Sequence, residues 1–160
     1  MSAVRFGPRV LERTTLLARA CSELKIPIIA TEQNPSRLGS TPEPLQSALG
    51  QSPLLAKMQF SSATPQVLRV METLARPSIL LCGLESHVCV LQSALDFLER
   101  GQRVFVVGDA ISSRFKRDED AALERMRGAG AVITTSESAL LELLGSADAP
   151  EFRSILKLIK

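Results

Sequence analysis

Aromatic residues and histidine are scarce in this chain. Its 160 residues contain no tryptophan, no tyrosine, six phenylalanines and one histidine. Proteins that stack nucleic-acid bases need aromatic rings at their surface, and metal sites usually need two or three histidine or cysteine ligands. Because His87 stands alone and there is no Cys-x-x-Cys motif, the sequence predicts no metal site and no nucleic-acid partner.

A strong charge imbalance and long apolar runs are also missing. The net charge is +2, and apolar runs such as residues 79–82 are far shorter than the roughly 20 residues of a membrane-spanning helix. Neither feature favours a membrane partner or a nucleic-acid partner. A hydrophobic content of 45% and a charged content of 22% are typical of a folded protein. We therefore expect one domain over residues 1–160.

The three cysteines are Cys21, Cys82 and Cys89, an odd number, and the sequence shows no signal peptide. Free thiols in a reducing compartment are therefore expected. We predict a cytoplasmic protein, with the mitochondrion or the nucleus as alternatives. The mitochondrial alternative rests on residues 1–20, which carry four arginines and one acid. Because their apolar residues recur on one helical face, a helix of the folded domain is the preferred interpretation.

Predicted helices and strands alternate along the chain. The predicted helices cover about residues 8–25, 65–75, 118–127, 136–144 and 150–160, with one more that follows Cys89 and ends at Gly101; the predicted strands are 26–31, 77–83, 103–107 and 131–134. Residues 32–53 are rich in proline and glycine and predict a loop. Strands separated by helices favour an α/β fold, in which a parallel sheet lies between two helix layers in a three-layer, Rossmann-like arrangement.

Cys89 is the most informative candidate for chemistry. It follows the second predicted strand, and sites in such sheets form at the carboxyl ends of the strands. It also begins a helix, where free N–H groups and the helix dipole stabilise a thiolate and can bind an oxyanion. A buried structural cysteine is the alternative. Cys82 and Cys21 fall within apolar patterns and are predicted as core residues, and His87 is interpreted as a loop histidine.

Lys57 stands in an otherwise apolar stretch, residues 54–60. A lysine in such a place is either a solvated edge residue or a buried cation with a shifted pKa. A nearby ammonium would stabilise a thiolate or orient a substrate carbonyl. Taken alone, the local sequence favours the solvated edge residue.

Several segments, taken in order, resemble the isochorismatase-like cysteine hydrolases. Residues 83–90, Gly-Leu-Glu-Ser-His-Val-Cys-Val, are similar to the nucleophile loop of that family, and residues 57–61, Lys-Met-Gln-Phe-Ser, to its lysine motif. Residues 31–35 and the tail 152–160 are similar to a narrower subgroup, the isochorismatase domain-containing proteins. The resemblance covers nearly the whole chain.

The resemblance implies a hydrolase of small amides or related carbonyl compounds that uses an Asp–Lys–Cys triad. Cys89 would be the nucleophile and Lys57 the lysine of that triad, and the backbone N–H groups of Glu85 and Cys89 would form the oxyanion hole. The resemblance further implies a small-molecule substrate, a homo-oligomer, no cofactor and a cis peptide bond between Leu84 and Glu85.

The sequence departs from this family at its start. The family places its aspartate after a strand in the middle of the sheet, ahead of the first long helix, whereas here that helix begins almost at Met1. We therefore expect that this central strand and the aspartate are missing and that activity in this form is lost or impaired. A spliced or mis-started form of a complete enzyme is the preferred explanation. The alternatives are a fragment of limited stability and a non-catalytic, protein-binding pseudoenzyme of the same fold.

Overall fold

A computed structural model describes residues 7–160 and confirms the alternation of helices and strands. The helices are α1 Gly7–Glu23, α2 Pro35–Leu38, α3 Glu43–Leu49, α4 Pro65–Leu74, α5 Leu91–Glu99, α6 Lys116–Gly128, α7 Ser136–Leu144 and α8 Phe152–Ile159; the strands are β1 Ala30–Gln33, β2 Leu54–Lys57, β3 Ser78–Leu84, β4 Arg103–Ser112 and β5 Val132–Thr134. A π-helical turn, Ser86–Val90, connects β3 to α5.

The strand pairs are parallel, so the strands of each sheet end at the same edge. β1 pairs with β2, and β4 lies between β3 and β5. The fold is therefore α/β with parallel sheets flanked by helices, as predicted. Within residues 7–160 these strands form one sheet of two strands and one of three, and β1 and β3 are not paired with each other.

The three-stranded sheet has apolar side chains packed against both of its faces, because neighbouring residues of a strand point to opposite sides. On one face, Val104 and Val106 of β4 pack in a cluster with residues of α5 and α6. On the other face, Val107 belongs to a cluster that includes Leu17 of α1 and Ile155 of α8. This arrangement gives the three layers that the sequence predicts.

Several element boundaries differ from the predicted ones for identifiable reasons. The first strand begins at Ala30 instead of residue 26, because the N–H of Ile26 closes the end of α1 on the carbonyl of Cys21 at 2.8 Å. The predicted loop 32–53 contains the two short helices α2 and α3. The third predicted strand does not stop at Gly108. After a shift in register, β4 continues until Ser112 pairs with Leu84.

Helix starts follow the capping rules in part. The Thr64 hydroxyl accepts a hydrogen bond from the N–H of Val67 at 3.2 Å, so Thr64 is the N-cap of α4. The N-cap of α7 is Thr135, whose hydroxyl accepts from the N–H of Ser138. No helix within residues 7–160 has the length and apolar character needed to cross a membrane.

Candidate active site

The end of β2 carries Lys57 into the candidate site. Lys57 is paired in register with Gln33, the last residue of β1, so the two side chains emerge at the same edge of the sheet. The Lys57 Nζ donates to Gln33 Oε1 at 2.6 Å, to the carbonyl of Phe60 at 2.7 Å and to that of Gln59 at 3.1 Å. With only 6% of its surface exposed, the ammonium is buried and held by three oxygen acceptors, as a buried cation requires.

Cys89 is presented by the π-helical turn between β3 and α5. The turn starts at Glu85, whose backbone is left-handed with φ 59 and ψ 61. The Glu85 carbonyl accepts from the N–H groups of Val88 at 2.9 Å and Val90 at 3.4 Å. These bonds coil the chain tightly between the strand and the helix, and the coil places Cys89 over the carboxyl end of β3.

Ser93 connects the Cys89 turn to the segment that follows β2. Its Oγ donates to the Cys89 carbonyl at 2.6 Å and accepts from the N–H of Ser62 at 2.7 Å. Ser62 Oγ in turn lies 3.1 Å from Thr31 Oγ1 of β1. The two sheets are thus joined near the site through a chain of hydroxyl groups, and Ser93 is 1% exposed.

Lys57 and Cys89 meet at the centre of this arrangement, with 3.8 Å between Nζ and Sγ. Burial raises the pKa of the Cys89 thiol; the Lys57 ammonium opposes that rise and the Glu85 carboxylate adds to it. Burial also lowers the pKa of Lys57, an effect that Cys89 partly offsets. The net direction for the pKa of Cys89 is upward, which favours the thiol over the thiolate that a helix start would stabilise.

A carboxylate positioned to take the thiol proton is missing from the described part of the chain. Within residues 7–160, neither Cys89 Sγ nor Lys57 Nζ is hydrogen-bonded to an aspartate or glutamate. The Glu85 carboxylate, which acts on the thiol through its charge, lies 3.6 Å from Arg114 Nε and 3.7 Å from His87 Nδ1. These residues therefore supply a thiol and an ammonium, and neither is hydrogen-bonded to a carboxylate of this part of the chain.

The expected cis peptide bond between Leu84 and Glu85 is wrong. Residues 7–160 contain no cis peptide bond. The chain leaves β3 through the left-handed backbone of Glu85 instead, which makes the sharp turn with a trans bond. The oxyanion role of the Glu85 and Cys89 N–H groups remains a prediction.

Cys21 is buried in the core, as predicted, and Cys82 is partly buried beside it. Burial raises the pKa of Cys21 to about 11 and that of Cys82 to about 12. Cys82 packs against the apolar cluster that contains Leu17 and Val107. Among the residues that the structure describes, no three His, Cys, Asp or Glu side chains are grouped so that they could hold a metal ion.

Sequence comparison places this geometry in a known family. Residues 2–138 match the isochorismatase domain family. Isochorismatase domain-containing protein 2 of Xenopus laevis is 41% identical over 161 residues, which cover 98% of this chain and 76% of that protein. The chain belongs to the isochorismatase family of hydrolase domains, and the resemblance seen in the sequence is confirmed.

Two solved structures extend the likeness. The structure of a protein described as MAR1 ribonuclease from Caenorhabditis elegans is 40% identical with a TM-score of 0.95, and the match covers 99% of this chain and 82% of that one. YcaC from Pseudomonas aeruginosa, described with hexane-2,5-diol and covalent acrylamide, is 27% identical with a TM-score of 0.87, covering 98% of this chain and 81% of that one. The described helices and strands therefore follow the family fold.

Proposed function

We propose that this chain is a cysteine-dependent hydrolase domain for small amides or related carbonyl compounds, with Cys89 as the nucleophile. The observation that carries the proposal is the 3.8 Å contact between Lys57 Nζ and Cys89 Sγ. It lies at the carboxyl ends of parallel strands, where α/β folds bind their ligands. The family assignment supports hydrolysis as the type of reaction.

In the proposed reaction, Cys89 Sγ bonds to the substrate carbonyl carbon while the thiol proton passes to solvent water. The carbon–nitrogen bond then breaks and the amine leaves with a proton from solvent. Water cleaves the resulting thioester, which releases the carboxylic acid and restores the Cys89 thiol. Lys57 lowers the free energy of the thiolate and can orient the carbonyl oxygen. The N–H groups of Glu85 and Cys89 are proposed to stabilise the negative oxygen of the tetrahedral intermediate.

The acrylamide adduct named for YcaC supports a reactive nucleophile in this fold. Acrylamide is an electrophile that thiolates attack, and YcaC is described with it covalently attached. We propose that the Cys89 thiol reacts in the same way when it loses its proton. The rate then depends on how often the thiolate forms.

The same geometry supports slow turnover in this form. Because burial raises the pKa of Cys89 and no carboxylate among residues 7–160 is hydrogen-bonded to the Lys57–Cys89 pair, each attack must wait for solvent to remove the proton. General-base catalysis contributes about 10²–10⁴-fold in enzymes that possess a positioned base. We therefore propose that the hydrolase is impaired in this form. We also propose that it needs no cofactor and forms homo-oligomers in the cytoplasm.

The experiment that tests this function is chemical rescue with formate, a small carboxylate that can occupy the place of a missing base. Hydrolysis of an amide and ester panel is measured for the 160-residue chain and for Cys89→Ala, with and without formate. We expect weak hydrolysis that rises with formate and requires Cys89. An inert, cooperatively folded chain that formate does not rescue would favour the protein-binding pseudoenzyme.

RNA belongs in the same panel, because one solved relative is described as a ribonuclease. A chain with one histidine and a net charge of +2 has little to bind or cleave a phosphodiester with. We expect no cleavage of RNA above that of the Cys89→Ala control. Cleavage that requires Cys89 would overturn the proposed substrate class.

A further inference from the structure

The turn that carries Cys89 contains a backbone conformation that its own sequence disfavours. Glu85 has a backbone φ of 59°, which lies in the left-handed region that residues other than glycine and asparagine seldom adopt. Such conformations persist when contacts from other parts of the fold hold them. The contacts that hold this turn therefore decide where Cys89 Sγ lies relative to Lys57.

Ser113, just beyond β4, makes two of these contacts. Its Oγ lies 3.3 Å from the backbone nitrogen of His87 and 2.9 Å from the Nδ1 of the same residue. With His87 neutral and its proton on Nε2, the hydroxyl accepts from the N–H and donates to Nδ1, so both bonds are satisfied together. Ser113 is fully buried, so its hydroxyl is held in place by the packed end of β4.

One further contact links the same two segments. The Glu85 carboxylate lies 3.6 Å from Arg114 Nε. Ser113 and Arg114 are adjacent in the chain, so both contacts tie the segment after β4 to the first three residues of the turn. The ionisable groups that bear on Cys89 are then Glu85 from the turn and Lys57 from β2.

We infer that His87 and Ser113 are positioning residues that hold the Cys89 turn at its working distance from Lys57. The inference rests on the proposed function, since it assigns these two residues to the placement of the proposed nucleophile. We assign His87 no part in proton transfer, since its Nδ1 contacts Ser113 Oγ at 2.9 Å. Its part is to lock the backbone two residues ahead of the thiol. A loop histidine in the sequence thereby becomes a determinant of Cys89 reactivity.

The test measures the second-order rate of iodoacetamide alkylation at Cys89 as a function of pH, by peptide mass spectrometry. Ser113→Ala and His87→Leu each remove the bond to Nδ1, whereas His87→Asn keeps a polar atom near the Nδ1 position. We expect the first two to slow alkylation about 3- to 10-fold, the range of one hydrogen bond, and to shift its pH midpoint upward. The alkylation rate of His87→Asn should stay within about twofold of the parent's. The double variant Ser113→Ala/His87→Leu should react no more slowly than the slower of its two single variants, because both substitutions remove the same bond.

Two results would overturn the inference: unchanged alkylation in Ser113→Ala, or equal slowing in His87→Asn and His87→Leu. A variant that is merely less stable would keep the parent's pH midpoint. If Ser113→Ala does not fold, the two His87 variants decide alone. Lys57→Met serves as the reference. If it leaves alkylation unchanged while the His87 and Ser113 variants slow it, the proposed role of Lys57 fails, and His87 and Ser113 position Cys89 for a reason other than its distance from Lys57. If Lys57→Met slows alkylation while the His87 and Ser113 variants do not, the proposed function stands and the positioning role fails.

Discussion

Replacement of Lys57 by methionine is the perturbation that bears most directly on the chemistry of Cys89. Methionine has a similar length and keeps the packing of the stem, but it removes the ammonium that lies 3.8 Å from Sγ. That ammonium opposes the rise in the pKa of Cys89 that burial causes. Its loss should therefore raise the pKa of Cys89 further and lower the fraction of thiolate at a given pH.

The size of the effect follows from the distance. Two unit charges about 4 Å apart attract each other by about 1 kcal/mol in water and by about 4 kcal/mol near a protein surface. Cys89 is partly exposed, so solvent screens the pair and a value of about 1–2 kcal/mol is expected. Since one pKa unit corresponds to about 1.4 kcal/mol, the thiolate fraction near pH 8 should fall roughly tenfold.

The assay is the rate of Cys89 alkylation by iodoacetamide between pH 6 and pH 10. The thiolate is the reacting species, so Lys57→Met should react about tenfold more slowly than the parent near pH 8 and approach it at high pH. Lys116→Met is the matched control, because it removes one positive charge from an exposed site beside Asp120. Equal rates for Lys57→Met and Lys116→Met across the whole range would refute the electrostatic role of Lys57.

Three further predictions concern stability. Ser93→Ala leaves the buried N–H of Ser62 without its acceptor and should lower the free energy of unfolding by about 1–3 kcal/mol; a loss below measurement error in urea titrations would contradict this. Burial raises the pKa of Cys21 from its usual value near 9 to about 11. The neutral thiol therefore contributes its full share to the free energy of unfolding below pH 9, and about 3 kcal/mol of that free energy is lost as the pH rises through 11. Cys21→Ala should therefore flatten the decline in stability between pH 8 and pH 11, and an unchanged slope would count against a buried thiol. Asp109 Oδ1 accepts a hydrogen bond from the N–H of Ser136, at the start of α7, at 2.7 Å. Asp109→Ala should therefore lower the free energy of unfolding by about 1–2 kcal/mol, and Asp109→Asn, which keeps the oxygen, should lower it clearly less. Equal losses in calorimetry would rule out a stabilising role for this hydrogen bond.

Local patterns predicted the features that depend on nearby residues. The predicted helix 65–75 matches α4, because Thr64 followed by Pro65 is a typical helix start, and the Thr64 side chain makes the capping bond. The place of Cys89 was readable for the same reason, because a strand followed directly by a helix fixes which residues lie at the junction. The resemblance to a family then supplied Lys57 as its partner.

The features that sequence reasoning missed depend on pairing over long stretches of chain. β2 is short and ends in Lys57, and its identity as a strand comes from pairing with β1, 24 residues earlier. The contacts of His87 with Ser113 and of Ser62 with Ser93 join residues 26 and 31 positions apart. Serine is a common residue, and the sequence does not indicate which group its hydroxyl will bond. Nothing in the printed chain therefore distinguished these three serines from the others. The left-handed turn at Glu85 was missed because such turns are usually predicted from a glycine, and this position holds a glutamate.

The nucleophilic role of Cys89 is tested most sharply by acylation of the folded chain with p-nitrophenyl acetate, followed by peptide mass spectrometry. If Cys89 is the nucleophile of a hydrolase site and Lys57 assists it, one acetyl group should appear on Cys89 first, more slowly in Lys57→Met, and should persist because no base among residues 7–160 is hydrogen-bonded to the site. Acetylation of Cys89 at the same rate as Cys21 in the folded chain, or at an unchanged rate in Lys57→Met, would contradict that role.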